Sequence, residues 1–420
     1  MEIRAIHGLR YTGTEVSQLI APPYDILSAA DKAALQEQDS CNIVTVDLPH
    51  VPPSEVGPES EYQASAATLR AWMADGTLRR DERPSLYAYE QVYSWAGRSY
   101  RRRTLIAGVR VTEFGKGVWP HEKTFAGPKA DRLKLTQVTQ VQLSPIFGFY
   151  EDRAGLGALL DGVCTRQPSQ QGSLRGVQER LWVIDEPSEV AAAVAAMKDQ
   201  DIFIADGHHR YTTAMNYRAT LGELPPDHPA NYVMFVLAAM DDPGLIILPT
   251  HRLISGLAGF DMAKFLAGAG ETLNLRKATL SPEQAADADS FLKPFGAHAM
   301  ALLCGDQVYV GTPKDLAAMD AAAPEELPVW RRLDVSILHK LVIERGLAPF
   351  KGDAMRIDYT PDGQAALAAA VSGKAQLAVL LQGTPLADVK EIALAGAVMP
   401  HKSTYFYPKP ATGLVISPLA

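Results

Sequence analysis

Ile202-Phe203-Ile204-Ala205-Asp206-Gly207-His208-His209-Arg210-Tyr211 begins as an apolar run and changes character at Gly207, after which helix formers continue to about Thr220. The first half reads as a buried strand and the second as the start of a helix. Glycine permits the sharp turn between them. A new helix presents unpaired N–H groups and the positive end of its dipole, which together favour an anion. Arg210 offers a two-pronged donor for phosphate, and His208 or His209 can donate to it or move a proton. Asp206 can hold a metal ion or orient a histidine. The plainer alternative is a polar turn whose histidines cap the helix, but two histidines, an arginine and an aspartate exceed what a cap requires.

Two further segments carry the same residue types. Pro120-His121-Glu122-Lys123-Thr124 is followed by Gly127-Pro128-Lys129-Ala130-Asp131-Arg132. The stretch from Gly115 to Leu135 reads as a loop, where functional residues collect. Glu122 between cationic neighbours suits a general base or a metal ligand, and Lys129 and Arg132 suit a polyanion, the plainer reading being a solvated charged loop. The fourth residue after His121 is Phe125, so there is no HExxH zinc motif. Near the C-terminus, Met399-Pro400-His401-Lys402-Ser403-Thr404-Tyr405-Phe406-Tyr407-Pro408-Lys409 offers Lys402, Ser403, Thr404 and Lys409 to a phosphate, although it also reads as a docked tail. Its glycine spacing is not that of a P-loop. Pro23-Tyr24-Asp25 and Pro249-Thr250-His251-Arg252 are weaker candidates, His251 and His339 read as structural histidines, and Ser144 lacks the GxSxG elbow of a nucleophile.

Composition narrows the function classes. The 420 residues carry a formal net charge of −8, which disfavours nucleic acid as a partner. The one basic cluster, Arg98 to Arg103, reads as a solvated hairpin face. Cys41, Cys164 and Cys304 are widely spaced and form no CxxC, which fits a reducing compartment. The N-terminus has no apolar signal region, and no apolar stretch is long enough to cross a bilayer. A soluble cytoplasmic protein without a membrane partner is expected.

Along the chain, a helix is expected through the thirties, a buried strand over Asn42–Leu48, a helix from Glu61 to Asp75, and a hairpin formed by Leu86–Tyr93 and Arg103–Val111. Further strands are expected at 144–150, 181–184 and 201–205, and a helix capped by Ser188 before the last of them. Tyr232–Met240 and Leu245–Leu248 read as paired strands, and Val329–Arg345 as one amphipathic helix. The texture changes beyond Leu253. The expected organisation is α+β with mixed sheets: a catalytic, phosphate-binding domain over 1–255 and a second α+β domain over 256–420, whose segment 398–412 returns to the site.

Taken together, APPYD, HExT with the following KxDR, SPIF, ADGHHRY, LPTHR and MPxKSTYFYPK resemble the DUF1015 family over nearly the whole chain. One departure is His401, where relatives are expected to carry Gln, which counts against an essential role for it. The DGHHR segment is also similar to a turn of the ParB/sulfiredoxin-like superfamily, which includes free-serine kinases. That resemblance implies a ParB/sulfiredoxin-like core around the turn. Asp206, Gly207, His208, His209 and Arg210 would then hold nucleotide phosphates, and the upstream Glu122 would act as base toward a substrate hydroxyl. Relatives are often encoded beside serine-biosynthesis enzymes, which points to serine or phosphoserine.

The leading expectation is therefore a phosphotransfer enzyme acting on a small hydroxyl metabolite, with the kinase and phosphatase directions both open. Glu122, His208, His209 and Asp206 are the expected catalytic residues. Gly207, Arg210, His121, Thr124, Lys129, Arg132, Lys402, Ser403, Thr404 and Lys409 are the expected binding residues. Mg2+ on Asp206 and Glu122, and ATP or ADP for a kinase, are the expected cofactors. The partner would be a small phosphorylated metabolite or a nucleotide, with the oligomeric state open, a homodimer included. The alternatives are a regulator that binds such a ligand without catalysis, and a metal-dependent hydrolase using His121, Glu122, His208, His209 and Asp206.

Overall fold

Alternating apolar residues in the N-terminal half build one mixed sheet. In chain order its strands are Ile3–Arg4 (β1), Leu86–Trp95 (β2), Arg98–Arg110 (β3), Val118–Trp119 (β4), Ile146–Tyr150 (β5), Gln170–Leu174 (β6), Val177–Ile184 (β7), Ile202–Asp206 (β8) and Tyr232–Ala239 (β9). The computed structural model describes residues 1–419. The sheet order is β4-β8-β5-β9-β3-β2-β7-β6, with β1 along β3. β8 runs antiparallel to β5 and parallel to β4, and β9 runs parallel to β5. The fold is α+β.

The helices of this unit are Ala29–Gln38 (α1), Val44–Asp47 (α2), Glu59–Ala74 (α3), Ala126–Thr139 (α4), Leu156–Val163 (α5), Pro187–Met197 (α6) and His208–Thr220 (α7). Side chains alternate across a strand, so Leu105, Ala107, Ile202, Ile204, Phe235 and Leu237 share one face. That face packs with Leu160 of α5, Met197 of α6 and Tyr211 of α7 in one buried core. On β8 the intervening Phe203 stacks on Phe149 of β5, with ring centroids 5.2 Å apart. The register between β8 and β5 slips between Ile204 and Asp206. This bulge breaks the alternation just before the turn.

The chain divides into two units. The first comprises residues 1–245 and the described residues from Pro408 on; the second is Ile246–Tyr407. The second unit holds a six-stranded antiparallel sheet of His251–Ser255 (β10), Leu273–Ala278 (β11), Met300–Cys304 (β12), Gln307–Pro313 (β13), Arg356–Thr360 (β14) and Leu377–Leu380 (β15), in the order β11-β13-β12-β15-β10-β14. Small residues such as Ala285, Ala366, Ala369 and Ala378 dominate the core on one side of it.

Several local expectations are corrected. Asn42–Leu48 is not a strand, since Val44–Asp47 is a buried helical turn. Asn42 starts it by accepting from Val44 N–H while its amide donates to the Gln18 and Ile20 carbonyls. The loop expected to run to Leu135 ends at Phe125, so Lys129 and Arg132 lie on α4. Pro128 is tolerated there because it falls in the first turn, where its missing N–H is no loss. Helix α6 starts at Pro187 after Glu186, so Ser188 is not its cap. β9 pairs with β3 and β5, whereas Ile246–Leu248 pairs with Tyr405–Tyr407. The segment 329–345 is broken into Pro328–Arg331, Asp334–Ile337 and a wider-wound turn at Leu338–Gly346.

Candidate functional site

Gly207 stands between β8 and α7 with φ +94°, a conformation that side-chain-bearing residues rarely adopt. A Cβ there would sit 2.9 Å from Arg210 Nε and 3.0 Å from its Cζ, because the guanidinium folds back over the turn. The first helical bond runs from Tyr211 N–H to the Gly207 carbonyl (3.0 Å). The N–H groups of His208, His209 and Arg210 therefore precede the helix's own ladder, and no side chain caps it.

Asp206 closes the turn electrostatically. One carboxylate oxygen accepts from Arg210 Nη2 and the other from Lys409 Nζ. Burial alone would raise its pKa, but Lys409 and Arg210 outweigh burial and hold the carboxyl far below its ordinary value. Arg210 also donates through Nη1 to the Pro145 carbonyl at the start of β5, and its Nε is buried without a partner. Arg210 thus ties three chain segments together rather than projecting as an open fork.

The histidines meet the 120–125 loop. His208, 4% exposed, accepts through Nε2 from His121 N–H (3.2 Å), and the two rings meet edge to face at 4.7 Å. With Nε2 as acceptor, neutral His208 carries its proton on Nδ1. That nitrogen lies 3.8 Å from the Glu122 carboxylate, beyond direct hydrogen-bond reach but close enough for attraction. Burial, then the neighbouring His121, pushes His208 well below its ordinary pKa. Burial pushes His121 down to about 4. His209 accepts through Nε2 from Phe125 N–H (2.9 Å) and stacks on the Phe125 ring. Its pKa is lowered by burial, with Asp25 opposing and Lys129 and Arg210 adding to the shift.

Behind Arg210 lies a cavity of about 50 Å³. Its polar end is formed by Tyr24, Asp47, Arg132, Ser144 and Arg210, and its other walls include Leu135, Ile146, Val233 and Tyr217. Arg132 is fixed rather than free. It pairs with Asp131 (2.6 Å), donates to the Asp47 carbonyl (2.5 Å) and stacks 4.0 Å over the Tyr24 ring. Ser144 Oγ donates to Asp47 (2.7 Å), and Tyr62 donates to Asp131 (2.6 Å).

The structure thus brings together Asp206, Gly207, His208, His209, Arg210, His121, Glu122 and Lys409. Thr124 is half-buried on the same loop, and Lys129 is half-buried in the first turn of α4. Lys402, Ser403 and Thr404 belong to the second unit. There Ser403 Oγ donates to the Pro400 carbonyl and its own carbonyl accepts from Thr384. Asp47 escaped the sequence reading. An ionisable residue closing the apolar run 43–48 was its only signal. Among the described residues, no group of three or more His, Cys, Asp or Glu is arranged to hold a metal ion. Among them too, no helix is long and apolar enough to cross a membrane.

Comparison with curated proteins gives no match. Among solved structures, the chain is similar to a free serine kinase in complex with AMP, at 13% identity and a TM-score of 0.33, covering 72% of this chain and 86% of that one. A conserved hypothetical protein from Pyrococcus furiosus gives 14% identity and a TM-score of 0.34, with 75% and 94% covered. SbnI with a C-terminal truncation from Staphylococcus aureus gives 11% identity and a TM-score of 0.35, with 75% and 87% covered. Likenesses this loose transfer neither ligand nor reaction. Residues 3–336 match the family described as protein of unknown function (DUF1015), and the chain belongs to that family.

Proposed function

We propose that the first unit catalyses phosphoryl transfer to or from a small hydroxyl metabolite, serine and phosphoserine being the favoured pair and ATP or ADP the nucleotide. The observation that carries this reading is the 3.8 Å approach of Glu122 to His208, on the first turn of a helix whose leading N–H groups are unclaimed by its ladder. A carboxylate base and an anion-binding helix start therefore share one place, as a ParB/sulfiredoxin-like phosphate turn would require. Phosphoryl transfer asks the protein mainly for positioning and for compensation of charge on the phosphoryl oxygens.

In the kinase direction, the substrate oxygen attacks the terminal phosphorus and its proton passes to Glu122. The bond from that phosphorus to the bridging oxygen breaks, and the shortened nucleotide leaves with its electron pair. Glu122 is 33% exposed, enough to meet a substrate. His209, with Nε2 already accepting, offers Nδ1–H as a neutral donor to a phosphoryl oxygen. The N–H groups at the helix start and the nearby Lys129 complete the cradle. Arg210 and Lys409 act through Asp206 and are positioning residues. A Mg2+ ion fits poorly on Asp206, because both carboxylate oxygens are engaged by cations.

Purified full-length protein should be incubated with serine and ATP or ADP, and separately with phosphoserine, while phosphoserine and free phosphate are measured. Serine-dependent formation of phosphoserine supports a kinase, and release of phosphate from phosphoserine supports a phosphatase. Turnover of neither removes serine from the reading, and binding of phosphoserine without turnover favours a regulator.

A further inference from the structure

In the second unit, Arg252 on β10 is 0% exposed. It donates only to backbone carbonyls, from Nη1 to Thr250 and from Nη2 to Lys402 (3.1 Å). Its Nε has no partner, and among the described residues no carboxylate pairs with it. The buried and near-buried arginines of the first unit differ. Arg132 has Asp47 and Asp131, Arg210 has Asp206, and Arg102 has Glu179 and Asp242 nearby. Burial lowers the Arg252 pKa to about 10, and only Tyr359 opposes it. A buried cation without a counter-charge is costly, so buried charges are ordinarily paired.

Two neighbouring donors also lack an acceptor. Thr250 Oγ is buried and unpartnered, as is Nε2 of His339. Thr250 immediately precedes β10, and its carbonyl accepts from Arg252 Nη1, which brings the two residues together. Burial pushes His339 to about 4, and Arg252 is the strongest charge acting on it, ahead of Glu344, Lys340 and His401. The Arg252 guanidinium carbon lies 5.4 Å from the Tyr359 ring centroid, and Lys402, whose carbonyl accepts from Arg252, is exposed.

We propose that Arg252, His339 and Thr250 form an oxyanion-binding site in the second unit, which takes the phosphate or carboxylate group of a small metabolite. Arg252 supplies the charge and the Nε–H donor, Thr250 a hydroxyl, and His339 an Nε2–H in its neutral tautomer. The site is independent of the Glu122 and His208 chemistry.

The test uses the full chain with inorganic phosphate and, in a separate arm, acetate. Affinity is read by calorimetry and the ionisation of His339 by NMR. The anion that binds raises the His339 pKa, and the arm in which this happens identifies phosphate or carboxylate as the source. Arg252→Met should weaken that binding about tenfold or more, whereas His209→Ala in the first unit should leave the His339 response intact. His339→Gln and Thr250→Val, which keep the guanidinium, should each weaken binding and serve if Arg252→Met does not fold. No response of His339 to either anion overturns the proposal, and so does unchanged binding in the folded variants. Absent serine turnover alongside an intact His339 response counts only against the first-unit reading.

Discussion

Lys409 donates to Asp206 across 203 residues of sequence, from the C-terminal segment to the last residue of β8. Arg210 holds the other oxygen, so the carboxylate is buried between two cations. Breaking a buried pair by removing one partner is costly, and Arg210 remains to share the charge. Lys409→Met should therefore destabilise the protein by about 2–3 kcal/mol, read as a lower denaturant midpoint. The sign with pH follows from the depressed native pKa of Asp206. Its contribution is complete above the unfolded value near 3.9 and is lost as pH falls from there through the native value. Lys409→Met raises that native value, so the variant's midpoint should fall less steeply with acid than that of the wild type.

Gly207→Ala combines two penalties. Its φ of +94° strains any L side chain, and the new methyl would press on Arg210 Nε and Cζ at 2.9 and 3.0 Å. A loss of about 1–3 kcal/mol is expected, with displacement of the Arg210 guanidinium from Asp206 and the Pro145 carbonyl. Thermal unfolding and a crystal structure of the variant check the two effects separately.

The buried histidines make the first unit acid-sensitive. His121 titrates at about 4 in the native state, against about 6.5 when unfolded. Between those values the unfolded chain binds the extra proton, so stability falls as pH falls, at up to about 1.4 kcal/mol per pH unit for each such histidine. His121→Gln should flatten the curve of unfolding free energy against pH between 6.5 and 4 by one proton's worth. An unchanged slope would show that His121 is protonated in the folded protein.

The legibility of this site in the sequence follows the range of its interactions. Residues 202–220 are readable because the switch from apolar strand to helix and the glycine between them are local facts. The partnership of Glu122 with His208 is suggested by residue types and by the family resemblance but by no local pattern, since the loop and the helix are 86 positions apart. Asn42–Leu48 misleads because a short apolar, β-branched run fits a buried strand as well as a buried helical turn, and the Asn42 contacts that decide it are made to residues 18 and 20. At the C-terminus, Lys402, Ser403, Thr404 and Lys409 look like one motif. Chain contacts nonetheless assign Lys409 to the first unit and the other three to the second.

Glu179 gives the opposite pH sign to the histidines. It is buried, accepts from Tyr89 (2.6 Å) and Gln91 (3.2 Å), and burial raises its pKa to about 7. A raised carboxyl contributes stability that is complete below the unfolded value near 4.3 and is lost as pH rises through 7. Glu179→Gln removes the charge and keeps one oxygen to accept from Tyr89, while its amide nitrogen takes the place of the oxygen that accepted from Gln91, whose own amide can turn to present its oxygen. It should stabilise the protein by about 1–3 kcal/mol at pH 8 and change little at pH 4, as measured by chemical denaturation at the two pH values.

Glu122→Gln separates chemistry from binding. Its side chain is one-third exposed and only 3.8 Å from a histidine that stays neutral, so the melting temperature should move little. If Glu122 takes the substrate's proton, the amide cannot, and kcat should drop about 10²- to 10⁴-fold while KM for the nucleotide stays nearly constant. His209→Ala should instead raise the nucleotide KM, because it removes a donor to the phosphoryl group while sparing the base. A Glu122→Gln variant with wild-type kcat would remove the carboxylate from the reaction and leave the helix start as a binding site alone.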